Sequence, residues 1–239
     1  FVAISIAPTA AVAGKKKVMI VVFDGIGTPA KARVWGRVLE DKGFDAPRKK
    51  ESRWRRLKRS YRLLESDEIA KAKVELVVLG KRYPLVADDE GLLRLELKGL
   101  PVGRHRVEAR YPGHEGPLRV MSGEVVVASA KPGVAVLSDI DDTVLKTGVG
   151  NKLKLIKKVL LGNARMLQSY PYTPALYREL AAKAPLVFVS GSPINLYPRL
   201  KTFFALRGFP RGAMRLKNLG SGKGSDSLFG QKKYKLAKI

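Results

Sequence analysis

The sequence predicts an α/β fold in which a parallel sheet with helices on both faces follows a β-rich, sandwich-like domain. In residues 131–239, apolar strands such as "VAVLSD" and "PLVFVS" alternate with helical segments such as "TPALYRELAAK". That alternation is typical of a parallel sheet covered on both faces. In residues 17–130, short alternating strands separated by turns such as "DDEG" and "PGHEGP" predict an antiparallel sandwich. The stretch "AKPG" at residues 130–133 marks the predicted boundary.

The first residues, 1–16, are predicted to be a linker or the remnant of a signal peptide. The stretch "AVA" within "FVAISIAPTAAVAGKKK" resembles a signal-peptidase site. A signal remnant would imply export to the periplasm or cell envelope. A plain linker would leave a cytoplasmic protein that is peripheral to a membrane, and the sequence leaves both alternatives open.

Composition restricts the function classes. The 239 residues include 46 Lys and Arg but 21 Asp and Glu, for a net charge of +25. Such a charge attracts nucleic acid, an anionic membrane surface or phosphorylated substrates. The absence of Cys excludes disulfides and thiolate metal sites. No apolar stretch is long enough to cross a bilayer as a helix.

A basic helical insertion is predicted in the β-rich part, in "RKKESRWRRLKRSYRLLESDE" at residues 48–68. Trp54 and Tyr61 recur at helical spacing, and the other positions are largely Arg and Lys. Two interpretations remain open. The aromatic side chains either dock the helix on the neighbouring sheet, or the basic face binds a membrane or an acidic partner.

The residues with the clearest chemistry follow the first strand of the second part, in "VAVLSDIDDTVLKTG" at residues 134–148. Only five acidic residues occur from Lys131 onward, and three of them are Asp139, Asp141 and Asp142. Carboxylates this close repel each other unless a cation holds them. Magnesium takes oxygen ligands and commonly retains substrate phosphate in its shell. The pattern therefore predicts a Mg²⁺ site formed by Asp139 and Asp141.

The pattern Asp139-Ile140-Asp141-Asp142-Thr143 after an apolar strand resembles the first signature of the haloacid dehalogenase superfamily of phosphotransferases. The resemblance implies that Asp139 is a nucleophile that forms an aspartyl-phosphate, and that Asp141 is the general acid and then the general base. The second signature matches "LVFVSGSP", and the third, a Lys near a helix start, matches "KKYKLAKI". The phosphate-binding residues that the resemblance implies are Ser190, Gly191 and Lys235.

Four ordered motifs resemble the actin-patch type of phosphatidate phosphatase and its bacterial relatives: "SDIDDTVLKTG", "VSGSPINLYPRL", "GFPRG" and "KYKLAKI". "DGIGTP" and "VWGRVLED" extend the likeness to the β-rich part. The superfamily's fourth, acidic signature is expected after "KYKLAKI", where this sequence ends. The chain is therefore predicted to be a truncated piece of the enzyme with an incomplete sheet, and to be weakly active or inert by itself.

The resemblance implies a magnesium-dependent phosphatase that hydrolyses phosphatidate to diacylglycerol at an anionic membrane surface. The basic, apolar stretch 152–170 is interpreted either as a segment that enters the membrane interface or as ordinary packing. Tyr197 and Arg199 are expected either to line the site or, for Tyr197 at least equally, to pack. Two alternatives remain: another phosphomonoesterase, and a non-catalytic module that binds anionic lipid or nucleic acid. The central carboxylates and the lack of a nucleic-acid fingerprint make nucleic acid the weaker partner.

Overall fold

The computed structural model describes residues 16–41, 67–146, 164–165 and 167–218. These residues form twelve strands, two α-helices and a 3₁₀ turn at Ile194–Leu196. The strands are β1 Val18–Val22, β2 Gly25–Thr28, β3 Lys31–Glu40, β4 Lys73–Val78, β5 Lys81–Val86, β6 Leu92–Leu97, β7 Gly103–Arg110, β8 Leu118–Met121, β9 Gly123–Val127, β10 Val136–Asp139, β11 Leu186–Pro193 and β12 Ala213–Lys217, and the helices are α1 Thr173–Lys183 and α2 Tyr197–Arg207.

The first nine strands form one sheet of mixed direction. Its order is β5-β4-β7-β9-β2-β3-β1-β8, with β6 pairing on the other edge of β3. The ten-residue strand β3 pairs with β2 through its first residues and with β1 through its last. The pairs β1–β8 and β2–β9 are parallel, and the others are antiparallel.

Strand β1 is buried on both faces, which explains why its sequence, "VMIVV", is apolar throughout rather than alternating. Val18, Ile20 and Val22 lie in the core of the nine-stranded sheet. Met19 and Val21 point the opposite way into a second core, which they share with the C-terminal part. The strand therefore connects the two halves of the molecule.

The C-terminal part contains a three-stranded parallel sheet of order β10-β11-β12. Helix α1 lies between β10 and β11 in sequence, and α2 lies between β11 and β12. Parallel strands joined by such crossovers end at one edge, so the residues following β10, β11 and β12 are close together.

Helix α2 covers the second core with one face. Its buried residues recur at a spacing of three and four, and they are Tyr197, Leu200, Phe203 and Phe204 among others. The ring centroids of Phe204 and Phe188 of β11 are 4.8 Å apart. Burial of each such aromatic ring contributes about 2 kcal/mol to folding. The helix ends at Gly208, which has a positive φ of 72°.

The predicted fold class is wrong. The dominant architecture is the mixed nine-stranded sheet, not a haloacid dehalogenase-like parallel sheet with helices on both faces, and parallel α/β structure among the described residues is limited to three strands. The nine strands are also not purely antiparallel. The class was predicted from the alternation of apolar strands with helices in residues 131–239 and from the resemblance, and neither reports how many strands the rest of the chain contributes.

Several local predictions are confirmed. "VMIVVF", "PLVFVS" and "AMRLKN" contain strands, and "TPALYRELAAK" is helix α1 with Pro174 in its first turn. Thr173 is not the N-cap as expected: Tyr172 occupies that position, and the Thr173 hydroxyl donates to the Tyr170 carbonyl. Residues 1–15, most of the basic stretch 48–68, most of the stretch 152–170 and the segment 232–239 lie outside the described residues. The predicted boundary at residues 130–133 stays a prediction.

No described helix has the length and hydropathy needed to cross a membrane.

Candidate functional site

The structure brings the two predicted strand ends together. Asp139, the last residue of β10, pairs in register with Val189 of β11, and Ser190 follows directly. Both residues therefore lie at the carboxyl edge of the parallel sheet, where ligands of such sheets bind. Ser190 is fully buried, while Asp139 and Asp141 are partly exposed.

The loop after β10 explains the spacing of the two carboxylates. Ile140, Val144 and Leu145 are buried in the second core. The N–H groups of Val144 and Leu145 both donate to the Ile140 carbonyl, which closes the loop tightly. Because the intervening Ile140 anchors the loop in the core, Asp139 and Asp141 are left at the accessible edge of the sheet.

A hydrogen bond connects the two motifs across the sheet edge. The Ser190 hydroxyl donates to Oδ2 of Asp141 at 2.7 Å, and it accepts from the N–H of Ser192 at 2.9 Å. Oδ1 of Asp139 accepts from the N–H of Ile140 at 2.9 Å. Three of the predicted site residues thus share one edge, and their chemical roles stay predictions.

The remaining predicted residues have different outcomes. Gly191 is half-buried in an irregular part of β11, where the pairing with β12 shifts register between Val189 and Pro193. Bulges of this kind commonly redirect side chains next to sites. Lys235, predicted to bind phosphate, lies outside the described residues.

The donor atoms at this edge are carboxylate and hydroxyl oxygens, which suit a hard cation such as Mg²⁺. Within the described ranges, no group of three or more acidic or His side chains is arranged to hold a metal ion. Mg²⁺ is commonly bound by one or two carboxylates with water and substrate phosphate. Asp139 and Asp141 fit that smaller protein contribution.

Sequence reasoning missed Arg37 of β3, which reaches the C-terminal part. Only 4% of Arg37 is exposed. Its Nη1 donates to Oδ1 of Asn195 at 2.6 Å, in the 3₁₀ turn that follows β11. Burial lowers the pKa of Arg37. The charges of the neighbouring carboxylates oppose that effect, and Glu68 has the largest influence among them. The sequence carried no signal, because Lys31 and Arg33 occupy the same face of β3 and are exposed.

Lys217 was also missed. It ends β12, is almost completely buried, and pairs in register with Pro193. In a chain with 46 basic residues, no sequence feature distinguishes this lysine from its neighbours.

Tyr197 packs rather than lines the site, which was one of the two expected outcomes. Its hydroxyl accepts from the N–H of Asp24 at 2.7 Å, and its ring lies 4.5 Å from that of Phe23. Burial, followed by the charge of Asp24, raises the pKa of Tyr197 well above its ordinary value. Arg199 is buried in the same turn of α2.

The family comparison concerns the part of the chain that contains this site. Residues 134–239 match the family model of the phosphatidate phosphatase APP1 catalytic domain. The match begins at the strand that leads to Asp139, and it supports the resemblance to the phosphatidate phosphatase family. In general terms it also supports a phosphatase activity.

Comparison with curated proteins returned no match. Solved structures give remote likenesses. A polysaccharide lyase is 14% identical over 48% of this chain and 12% of its own, with a TM-score of 0.25. The D0–D1 domain of intimin is 10% identical over 45% of this chain and 46% of its own, with a TM-score of 0.26. A CARDB domain from Pyrococcus furiosus is 11% identical over 48% of this chain and 96% of its own, with a TM-score of 0.27. The chain thus spans less than half of the first two structures, and TM-scores this low carry no functional argument.

Proposed function

We propose that this protein is a phosphatase that hydrolyses phosphatidate to diacylglycerol and inorganic phosphate. The observation that carries the proposal is the hydrogen bond from Ser190 to Asp141 at the carboxyl edge of the parallel sheet. It joins two motifs that are 49 residues apart in the sequence. The family match supplies the substrate class, and the geometry supplies groups suited to phosphoryl transfer.

In the proposed first step, a carboxylate oxygen of Asp139 attacks phosphorus and forms an acyl phosphate, while the ester P–O bond breaks. Asp141 gives its proton to the departing diacylglycerol oxygen. In the second step, water attacks the same phosphorus and Asp141 takes a proton from it. The P–O bond to Asp139 breaks, phosphate leaves, and both carboxyl groups return to their initial states.

Ser190 has two proposed roles in this scheme. Its hydroxyl orients Asp141 through the 2.7 Å hydrogen bond, and it is proposed to turn and donate to a phosphoryl oxygen when substrate binds. Lys235 is proposed to neutralise phosphate charge. Mg²⁺ is proposed as the cofactor, held by Asp139 and Asp141; when bound, it offsets the charge on the phosphoryl oxygens.

The substrate is proposed to be presented by an anionic membrane. Two residues separate the end of α1 from β11, so α1 starts toward the carboxyl edge, the side of the sheet where the site lies. There the two residues before the helix, Pro171 and Tyr172, and Ala175 and Leu176 of its first turn are exposed, and Tyr172 is 88% exposed. Tyr at such a position is suited to the lipid interface. The net charge of +25 adds attraction to anionic headgroups.

The test measures phosphate release by the full chain from phosphatidylcholine vesicles that contain phosphatidate, with and without Mg²⁺. We expect weak but Mg²⁺-dependent release, which Asp139→Asn abolishes. Asp142→Asn is the matched control, because it removes the same charge from the same loop. Asp142 is exposed and has a positive φ of 59°, which Asn tolerates. Loss of release in both variants, or in neither, would contradict the proposed nucleophile.

A soluble phosphomonoester, assayed in parallel, separates the proposed substrate from its alternative. Faster release from vesicles supports phosphatidate. Release from the soluble ester alone would favour another phosphomonoesterase, and binding to vesicles without any release would favour a binding module.

A further inference from the structure

The β-rich part contacts the segment that carries Ser190 through a buried arginine. Arg37 projects from β3, and its Nη1 donates to Oδ1 of Asn195 at 2.6 Å. Asn195 lies five residues after Ser190, in the 3₁₀ turn between β11 and α2. The contact joins residues that are 158 positions apart in the sequence.

Arg37 is itself held on its other sides. Its Nη2 donates to Oε1 of Glu68 at 2.6 Å, and its Nε donates to the carbonyl of Glu90 at 3.2 Å. The guanidinium is planar and its donors are fixed in direction, so these contacts restrict the position of Nη1. A buried guanidinium held in this way is a rigid support for Asn195.

A second contact from the same region reaches the next strand end. Oε2 of Glu90 accepts from Nδ2 of Asn218 at 2.6 Å, and Asn218 directly follows β12. The turn that contains Glu90 therefore supports the residues after β12, while Arg37 supports those after β11. Both supports act at the edge of the parallel sheet where Asp139 and Asp141 lie.

The segment between Ser190 and Asn195 needs such support. Regular pairing of β11 with β12 is interrupted between Val189 and Pro193, so the ladder does not fix the intervening residues. At its start, the segment is held by the hydrogen bonds of the Ser190 hydroxyl. At its end, it is held by the contact between Asn195 and Arg37.

We infer that Arg37 is a positioning residue for the site, which acts through Asn195 to hold the Ser190 segment against Asp141. The functional part of this inference rests on the proposed phosphatase activity. Its structural part is that the order of residues 190–196 depends on the Arg37–Asn195 contact.

Loss of the Arg37–Asn195 contact also removes one connection between the C-terminal part and the nine-stranded sheet. That general effect has to be distinguished from the positioning of the Ser190 segment. Lys201 of α2 provides the matched control, because its Nζ donates to Oδ1 of Asp24 and to the Ser122 carbonyl, each at 2.9 Å. That contact also joins α2 to the nine-stranded sheet, and it does not involve the Ser190 segment.

The experiment compares Asn195→Leu, Asn195→Asp, Arg37→Met and Lys201→Met in the full chain. Leu keeps the approximate shape of Asn without an acceptor, whereas Asp keeps an oxygen for Arg37. We expect Asn195→Leu and Arg37→Met to lower kcat by about tenfold to a hundredfold with little change in KM, because small misplacements of catalytic groups have effects of that size. Asn195→Asp retains most of the activity, and Lys201→Met loses thermal stability but not kcat.

The double variant tests whether the two residues act together. If they do, adding Arg37→Met to Asn195→Leu lowers kcat no further. Equal losses of kcat in Lys201→Met and Asn195→Leu would overturn the inference, as would independent, multiplying losses in the double variant.

Hydrogen exchange followed by mass spectrometry gives a readout that does not depend on activity. Asn195→Leu is expected to speed exchange in peptides covering residues 190–196 and to leave those of β4 and β7 unchanged. Lys201→Met, which lowers the stability of the whole molecule, is expected to speed exchange in both regions alike. If the wild-type chain releases no phosphate but this exchange pattern is found, the proposed function fails and the positioning contact stands. If exchange in residues 190–196 is the same in the wild type and Asn195→Leu, the inference fails, whatever the activity.

Discussion

Ser190 is the residue at which the two motifs meet. Its hydroxyl is fully buried, donates to Asp141 and accepts from the N–H of Ser192. A buried hydroxyl that both donates and accepts has one orientation, so it fixes the carboxylate that it contacts. The sequence predicted both partners, because each follows an apolar strand.

At this scale we predict that Ser190→Ala lowers kcat for phosphate release by about a hundredfold, the usual order for one lost donor to a reacting group. The N–H of Ser192 also loses its acceptor, which lowers the free energy of unfolding by about 1 kcal/mol. Steady-state kinetics and urea denaturation measure the two effects. Ser192→Ala is the control, since it retains both the Ser190 hydroxyl and the backbone N–H. An unchanged kcat in Ser190→Ala would remove Ser190 from the site.

The turn between β5 and β6 illustrates how an element is set by local chemistry. Oδ1 of Asp88 accepts from the N–H groups of Glu90 and Leu92 at 3.0 and 2.9 Å, and Oδ2 accepts from Arg94 at 2.7 Å. Gly91 has a φ of 67°, and a Cβ there would lie 2.5 Å from the Val38 carbonyl oxygen. The turn therefore requires both Asp88 and Gly91, and it places Glu90 against Arg37.

The stability of this turn is expected to depend on pH. Burial by itself would raise the pKa of Asp88, but the hydrogen bonds from Leu92, Arg94 and Glu90 together lower it below its ordinary value of 3.8. A carboxyl group with a lowered folded-state pKa stabilises the fold fully above its unfolded value, near 4, and loses that effect as pH falls through the folded pKa.

We therefore predict that Asp88→Asn lowers the free energy of unfolding at pH 7 by less than about 1 kcal/mol, since the Asp88 side chain is 34% exposed and solvent screens its interactions. The difference from wild type is expected to shrink as pH falls from 4 toward 3. Urea denaturation across this range measures it. Asp89→Asn is the control. Among the ion pairs of the described residues, Asp89 takes part only in the one with the exposed Lys71. A difference in the free energy of unfolding that grows as the pH falls would contradict the lowered pKa of Asp88.

At the scale of the whole molecule, a buried polar cluster joins α2 to the nine-stranded sheet. Asp24 and Lys201 form an ion pair at 2.9 Å, and the Asp24 side chain also accepts from the N–H of Glu124. Burial lowers the pKa of Lys201, and the charge of Asp24 opposes that effect. Around the cluster, β1 contributes Met19 and Val21 to the core that α2 covers. The two parts are therefore expected to unfold as one unit.

Removing one partner of this pair leaves a buried charge. We predict that Lys201→Met and Asp24→Asn each lower the free energy of unfolding by about 3 kcal/mol, and that the double variant loses clearly less than the sum. Urea denaturation followed by both fluorescence and circular dichroism measures this, with one cooperative transition expected by both probes. Additive losses, or two separate transitions, would show that the pair does not couple the two parts.

The sequence by itself determined the local features of this protein. The apolar strands leading to Asp139 and Ser190, helix α1, and the turns containing Asp88 and Gly208 follow from periodicity and from the conformations of individual residues. The adjacency of the two motifs was also predictable, because parallel strands end at one edge. These features depend on a few neighbouring residues, which is why they can be read along the chain.

Only the tertiary structure decided how many strands belong to the mixed sheet and to the parallel sheet, and which residues surround the site. The nine-stranded sheet has parallel pairs between strands far apart in the sequence, and no local pattern specifies such pairings. Arg37 looks like its exposed neighbours Lys31 and Arg33, and it differs from them only because Glu68, Glu90 and Asn195 converge on it. A buried charge is stabilised by partners that the chain brings together from distant positions, and their arrangement exists only in the folded molecule.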